Sequence, residues 1–192
     1  MTDAVVRDPR LWRVFRRRLR DRFDGLAPTW ETRIGPHHLG ALDLSLAGVS
    51  APAHVLDLGT GTGVVAKALA ERYPEAEVVG IDLSPAMIEE AARQLPAELA
   101  GHVRFEVGDA AALDVPDGAF ELVVLSNMIP FFGELARVTA LGGTLVLSFS
   151  RGAETPIYVP PDRLRRELGR RGFAEFAGFS AEPAIALRAR RG

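Results

Sequence analysis

The chain has 192 residues, with 25 acidic side chains against 23 basic ones, four His and no Cys. At 47% hydrophobic and 25% charged residues it has ordinary globular composition, which excludes a disordered or collagen-like chain and suits one domain with a substantial core. The lack of Cys excludes a disulfide framework, a thiolate metal site and a Cys nucleophile, and the apolar runs are far too short for a membrane span.

Residues 9–24 place Leu11, Phe15 and Leu19 four apart, with Trp12 and Phe23 alongside. This predicts an amphipathic helix with an Arg-coated outer face. Its basic start lacks the apolar stretch of a signal peptide, so a cytoplasmic protein is expected. Residues 25–50 are richer in Gly, Pro and His and predict a loop followed by a helix over 39–46. From residue 53 the pattern becomes regular. The apolar run His54–Leu58 ends in Gly59-Thr60-Gly61-Thr62-Gly63 and precedes a helix over 64–73, stopped by Pro74. A second strand, Glu77–Asp82, runs into Ser84 and Pro85, an N-cap and first-turn pair for a helix ending before Pro96. Val103–Val107 is a third strand, followed by Gly108, Asp109 and a short helical turn.

Pro116-Asp117-Gly118 marks a turn, and Phe120–Ser126 is a continuous apolar fourth strand. A helix over 132–139, a turn at Gly142 and Gly143 and a strand over 144–149 complete a fifth unit. Such alternation predicts an α/β fold with a mostly parallel sheet and right-handed crossovers. The tail differs: a helix over 162–171, then extended segments Phe173–Ala181 and 184–190, separated only by Glu182 and Pro183. So short a link demands an antiparallel pair at the sheet edge. With no repeat or second domain in view, residues 1–192 are expected to form a single domain, a helical cap segment over 1–50 and a core over 51–192.

Three features fall at successive strand ends, where open α/β sheets bind ligands. Gly59, Gly61 and Gly63 allow a sharp turn and close approach of a ligand to the backbone, while the following helix offers free N–H groups. Asp82 stands 23 residues after Gly59 and can accept from both hydroxyls of a ribose. Asp109 follows the third strand, where a carboxylate can accept from an exocyclic amine. Together they describe a nucleoside along the sheet edge. A dinucleotide fingerprint would put its third glycine at position 64, which is Val, and no Gly-Lys-Ser/Thr of a P-loop follows. Each feature alone is equally well a tight turn or a helix cap, and it is their conjunction that favours binding.

Asp57-Leu58-Gly59-Thr60-Gly61-Thr62-Gly63, then Gly80-Ile81-Asp82-Leu83-Ser84-Pro85-Ala86-Met87, then Gly108-Asp109-Ala110 resemble the successive motifs of class I S-adenosylmethionine-dependent methyltransferases. The chain is similar to their small-molecule, ubiquinone/menaquinone-type group over about residues 20–150. The resemblance implies a Rossmann-like, seven-stranded, mostly parallel sheet with strand seven antiparallel and helices on both faces. It implies S-adenosyl-L-methionine as cofactor, S-adenosyl-L-homocysteine as product and no metal. Asp57, Gly59, Thr60, Gly61 and Gly63 would hold the methionine part and Asp82 the ribose. Asp109 and Ala110 would meet the adenine, Leu83 and Met87 would flank it, and Ser126 and Asn127 would lie beside the transferring methyl. Two positions depart from the family pattern: Leu141-Gly142-Gly143 replaces Pro-Gly-Gly, and Ser126-Asn127-Met128-Ile129-Pro130-Phe131 is not the Asp/Asn-Pro-Pro-Tyr of amino-methylating nucleic-acid enzymes.

The expected reaction is in-line methyl transfer to O, N or C of a small-molecule acceptor, for which alignment alone contributes about 7–11 kcal/mol. His37 and His38, in the segment that closes over such sites, are candidate bases near neutral pH or else solvated loop residues. On the acceptor side stand Trp30, which core packing explains equally well, Met128, Phe131, which with Phe132 could line the pocket or anchor the following helix, and Tyr158 at the pocket rim. Methylation of RNA or protein through the Arg-rich ends, and a non-catalytic cofactor-binding role, are the alternatives. All basic residues except Lys67 are Arg, and charge is segregated: net +3 over 1–53, −10 over 54–135 and +5 over 136–192. The near-neutral total argues against a nucleic-acid partner, and the two basic helices read as solvated faces rather than a phosphate groove.

Overall fold

Continuous apolar runs bounded by turn residues become strands here, and the alternation of their side chains sorts the core into two halves. The computed structural model describes residues 2–35 and 38–192. In chain order the described elements are helices α1 (Thr2–Arg7), α2 (Trp12–Leu26) and α3 (Gly40–Leu46), then β1 (His54–Leu58), α4 (Val64–Arg72), β2 (Glu77–Asp82), α5 (Pro85–Arg93), β3 (Val103–Val107), β4 (Phe120–Ser126), α6 (Phe132–Val138), β5 (Thr139–Phe149), α7 (Pro161–Gly169), β6 (Phe173–Ala181) and β7 (Ala184–Arg191).

The strands form one seven-stranded sheet of order β3-β2-β1-β4-β5-β7-β6. β1 pairs in parallel with β2 and β4, β2 with β3, and β4 with β5, while β7 runs antiparallel to both β5 and β6. The order reverses at β1, which opens a crevice above the carboxyl ends of β1 and β4. Successive residues of a strand face opposite sides. Leu56, Leu58, Val79, Ile81 and Leu125 face a core shared with Trp12, α6 and α7, while Val55, Val78, Leu122 and Val124 face one shared with α3 and α4.

One local expectation changes. The fifth strand begins at Thr139 rather than at 144, because Gly142 (φ 74°) absorbs an irregularity and Phe120 pairs with Thr139 ahead of the regular register. After Asp109 a single turn forms, the Ala112 N–H donating to the Asp109 carbonyl at 2.9 Å, while the Asp109 carboxylate takes the Ala111 N–H and the Leu113 N–H goes to Glu134. Among the described residues no helix is long and apolar enough to cross a membrane.

Candidate functional site

At the crevice lies a cavity of about 590 Å³, whose walls include the loop after β1, the end of β2, the end of β4 and the segment after α2. The loop is shaped by its sequence. Gly59 and Gly63 sit at φ 78° and 80°, a left-handed backbone that costs other residues about 1–2 kcal/mol. The Gly59 and Thr60 N–H groups donate to the Ile81 carbonyl at 2.8 and 3.1 Å, pinning the loop to β2.

Asp82 joins the same loop from the other side. Its Oδ2 accepts from the Gly61 N–H and its Oδ1 from the Ser84 N–H, both at 2.9 Å. Burial pushes its carboxyl above the usual range, and the two N–H donors pull the other way. Each oxygen spends one acceptor site on the backbone, so each keeps one for a ligand in the cavity. Asp57 lies beneath the loop, 1% exposed, and is not among the lining residues. Its Oδ2 accepts from the Thr60 hydroxyl at 2.5 Å, and its Oδ1 has no hydrogen-bond partner among the described residues. Burial pushes this carboxyl up to about 7, against the Thr60 hydrogen bond.

The far wall comes from β4 and β5. Asn127 adopts φ 53°, a conformation tolerated by Asn more than by most residues, and its amide pairs with Ser150. Such an outlier at a strand end is typical of residues aimed for function. The Ser126 hydroxyl is buried without a partner among the described residues, and both Ser126 and Asn127 line the cavity. Trp30 forms another wall, stacked edge-on with Phe23 at 5.5 Å. His38 also lines it, and burial lowers its pKa, which keeps the imidazole neutral near neutral pH. His37 lies outside the described residues.

Of the remaining expected site residues, Gly59, Thr60, Gly61 and Met87 line the cavity, and Gly63 caps α4. Leu83 and Asp109 border a separate recess of about 410 Å³ together with Arg16, Arg17 and Arg20. Asp109 is already engaged: Oδ1 accepts from Trp12 Nε1 at 2.7 Å and Oδ2 from Arg16 at 2.9 Å. Ala110 is buried in the core beside it. Three residues placed on the acceptor side do not line this cavity. Met128 packs over Gly59, where a Cβ would meet its side chain at 2.8 Å. Phe131 is buried edge-on against Trp12 at 5.1 Å, and Tyr158 packs on Phe149 at 5.3 Å, so both join the core instead.

Sequence reasoning missed other parts. Arg33 lines the cavity from the short 3-10 turn Glu31–Arg33, and Arg151, Thr155 and Ile157 line it from the segment after β5, all without periodicity or motif. Asp24 on α2 accepts from the Ser84 hydroxyl at 2.6 Å, a tie that the helical spacing of acidic residues alone does not reveal.

Comparison with known proteins agrees with this geometry. Residues 55–143 match a family model described as a methyltransferase domain. The chain is 48% identical over 115 residues to a demethylmenaquinone methyltransferase of Thermus thermophilus, covering 56% of this chain and 50% of that protein. It is 38% identical over 135 residues to a trans-aconitate 2-methyltransferase of Methylobacterium nodulans, covering 66% and 48%. The chain thus spans about half the length of the curated relatives it matches. An S-adenosylmethionine-dependent methyltransferase structure from Mesorhizobium loti superposes with TM-score 0.66 at 20% identity, covering 82% of this chain and 99% of that one. Residues 55–143 thus match a methyltransferase-domain model, and the chain shares the fold of the Mesorhizobium loti S-adenosylmethionine-dependent methyltransferase.

Proposed function

We propose that this protein binds S-adenosyl-L-methionine along the β1–β2 edge of the cavity and transfers its methyl group to a small-molecule acceptor. The observation that carries this reading is the convergence of the glycine loop and Asp82 on one strand crevice, with an unpartnered Asp57 oxygen buried beneath the loop. These residues fit the cofactor by chemistry. The open loop suits an amino-acid end, the spare acceptor sites of Asp82 suit ribose hydroxyls, and Asp57 offers charge to a cation.

When bound, the cofactor supplies an electrophilic methyl on a positively charged sulfur. The chain's own part is to bind, orient and keep dry. Asp82, already held by two backbone N–H groups, presents its oxygens in one fixed geometry, so little ordering is left to the binding step. Trp30, Ile34 and Ile157 exclude water from the cavity. Asn127, locked to Ser150, and the free Ser126 hydroxyl orient an acceptor from the β4 side. His38, neutral and facing the cavity, takes a proton from an acidic acceptor at its imidazole nitrogen. Asp109 serves the adenine with its residual acceptor capacity, under cover of Trp12 and Arg16.

Titration calorimetry with S-adenosylmethionine tests the reading. Saturable one-to-one binding is expected, weakened about tenfold or more in Asp82→Ala. No binding, or binding indifferent to that substitution, overturns it. Turnover across a panel of small hydroxyl, amine and carboxylate acceptors then separates an enzyme from a cofactor-binding homologue.

A further inference from the structure

The two basic ends of the chain meet. α1, α2 and the turn Pro9–Leu11 between them form one wall of a cleft of about 830 Å³, and α7 forms the opposite wall. This cleft shares no lining residue with the cavity above β1 and β4, and it meets the recess beside Leu83 only at Arg16 and Asp109. The near wall carries Arg7 at the end of α1, Arg10 in the turn Pro9–Leu11 and Arg13 in the first turn of α2. No acidic partner is found for these three guanidinium groups among the described residues. On the far wall Arg170 and Arg171 share the single carboxylate of Glu167, at 3.1 Å each. Among the described residues that line the cleft the carboxylates are Asp109, Glu134 and Glu167, and the first two are already paired with Arg16 and Arg137.

Its floor is apolar. Val5, Phe131 and Phe132 are at most 6% exposed, and the Arg171 guanidinium lies 5.6 Å over the Phe132 ring. An uncompensated basic wall is unfavourable in isolation, because like charges repel. Guanidinium forks match phosphate oxygens two at a time, and Val6, Pro9 and the aliphatic stems of the arginines offer accessible apolar surface to an apolar body.

We propose that this cleft is a second binding site, for an organic phosphate with an apolar body. The phosphate sits on Arg7, Arg10, Arg13 and Arg170, and the apolar part lies against Val6, Pro9 and the arginine stems. The basic helices are thus two sides of one anion site rather than separate solvated faces. A phosphorylated metabolite and an anionic lipid headgroup present the same chemistry, and the test separates them.

Dodecyl phosphate, kept below its micelle concentration, serves as the soluble probe in titration calorimetry on the full chain. Vesicles of phosphatidylcholine with and without phosphatidylglycerol serve as the bilayer probe in co-sedimentation. Saturable binding of dodecyl phosphate is expected, with Arg10→Ala/Arg13→Ala and Arg170→Ala each weakening it, the double variant by about tenfold or more. Arg18→Ala/Arg22→Ala removes the same charge from the same helix outside the cleft, and is expected to change affinity less than about threefold. Binding to phosphatidylglycerol vesicles with the same rank order assigns the site to a lipid headgroup. Binding of the soluble probe alone assigns it to a free organic phosphate. Three results overturn the proposal: no saturable binding, equal loss in both double variants, or inorganic phosphate or a single-stranded RNA oligonucleotide binding as well as dodecyl phosphate.

Discussion

At the scale of single residues, Asp57 sets the terms. It is sealed beneath the glycine loop with one hydroxyl donor, and burial raises its pKa to about 7. Between the ordinary carboxylate range and about pH 7 the folded protein therefore holds a proton that the unfolded chain has released. Stability contributed by the neutral carboxyl is full at the acidic end of that window and declines as pH rises through it. A cation bound nearby reverses the preference, so affinity for S-adenosylmethionine is expected to rise as Asp57 ionises. Asp57→Asn separates the two effects. In the ligand-free protein it is expected to flatten the stability profile between about pH 5 and about pH 8, and to raise stability at the alkaline end by on the order of 1 kcal/mol or more. Its affinity for the cofactor should fall, and the part of the pH dependence due to Asp57 should vanish. Thermal unfolding and calorimetry across that range check both; a variant with the wild-type stability slope would rule out Asp57 as its source.

At the scale of elements, α5 links local sequence to the site. Ser84 caps it: the Ser84 hydroxyl accepts from the Met87 N–H at 3.1 Å and donates to Asp24 on α2. Ser84→Ala is expected to cost about 1–2 kcal/mol in urea unfolding, the cap plus the lost tie. Because the Ser84 N–H still holds Asp82, cofactor affinity should change less than about threefold. The cap and its Pro85 were legible in the sequence, as were β1 to β4, since each strand is an apolar run closed by a turn residue or a helix cap. The motif-borne polar residues Asp82, Ser126 and Asn127 were legible for the same reason: they end strands, and strand ends converge on one edge. Apolar neighbours were not. Phe131 and Tyr158 sit next to site residues in sequence, but rotamer and backbone direction turn them into the core, and a single sequence does not carry that information. Arg33 and Arg151 stayed invisible because short turns and loops carry no period.

At the scale of the whole molecule, the segment before β1 behaves as a strap over the carboxyl edge of the sheet. It is tied down in reverse order of the loops it crosses. Trp12 and Arg16 hold Asp109 after β3, Asp24 holds Ser84 after β2, and Glu31 meets Thr62 and Lys67 after β1. Gly40 then passes Ala181 at the end of β6, a Cβ there being 3.1 Å from the Ala181 Cβ, before α3 descends over the sheet. The ends of this strap are buried, with Val5 and Trp12 in one half of the core and Leu42 and Leu46 in the other. Its middle is held less firmly. The Glu31–Lys67 pair spans 3.7 Å with Glu31 half-exposed, and such pairs contribute at most about 1 kcal/mol. Trp30, Arg33 and Ile34 in this stretch line the cavity above β1 and β4, so a ligand there adds contacts that exist only when the strap is closed. If cleavage needs local opening, its rate follows the open population, and a ligand at ten times its dissociation constant reduces that population by about tenfold. Trypsin cleavage after Arg33, an exposed site in the strap, is therefore expected to slow by about threefold to tenfold when S-adenosylhomocysteine saturates the site. Glu31→Ala is expected to speed cleavage in the free protein and leave the protection largely intact. Cleavage after Arg33 at the same rate with and without ligand would show that residues 30–34 stay open, and that the cavity is closed by the sheet loops alone.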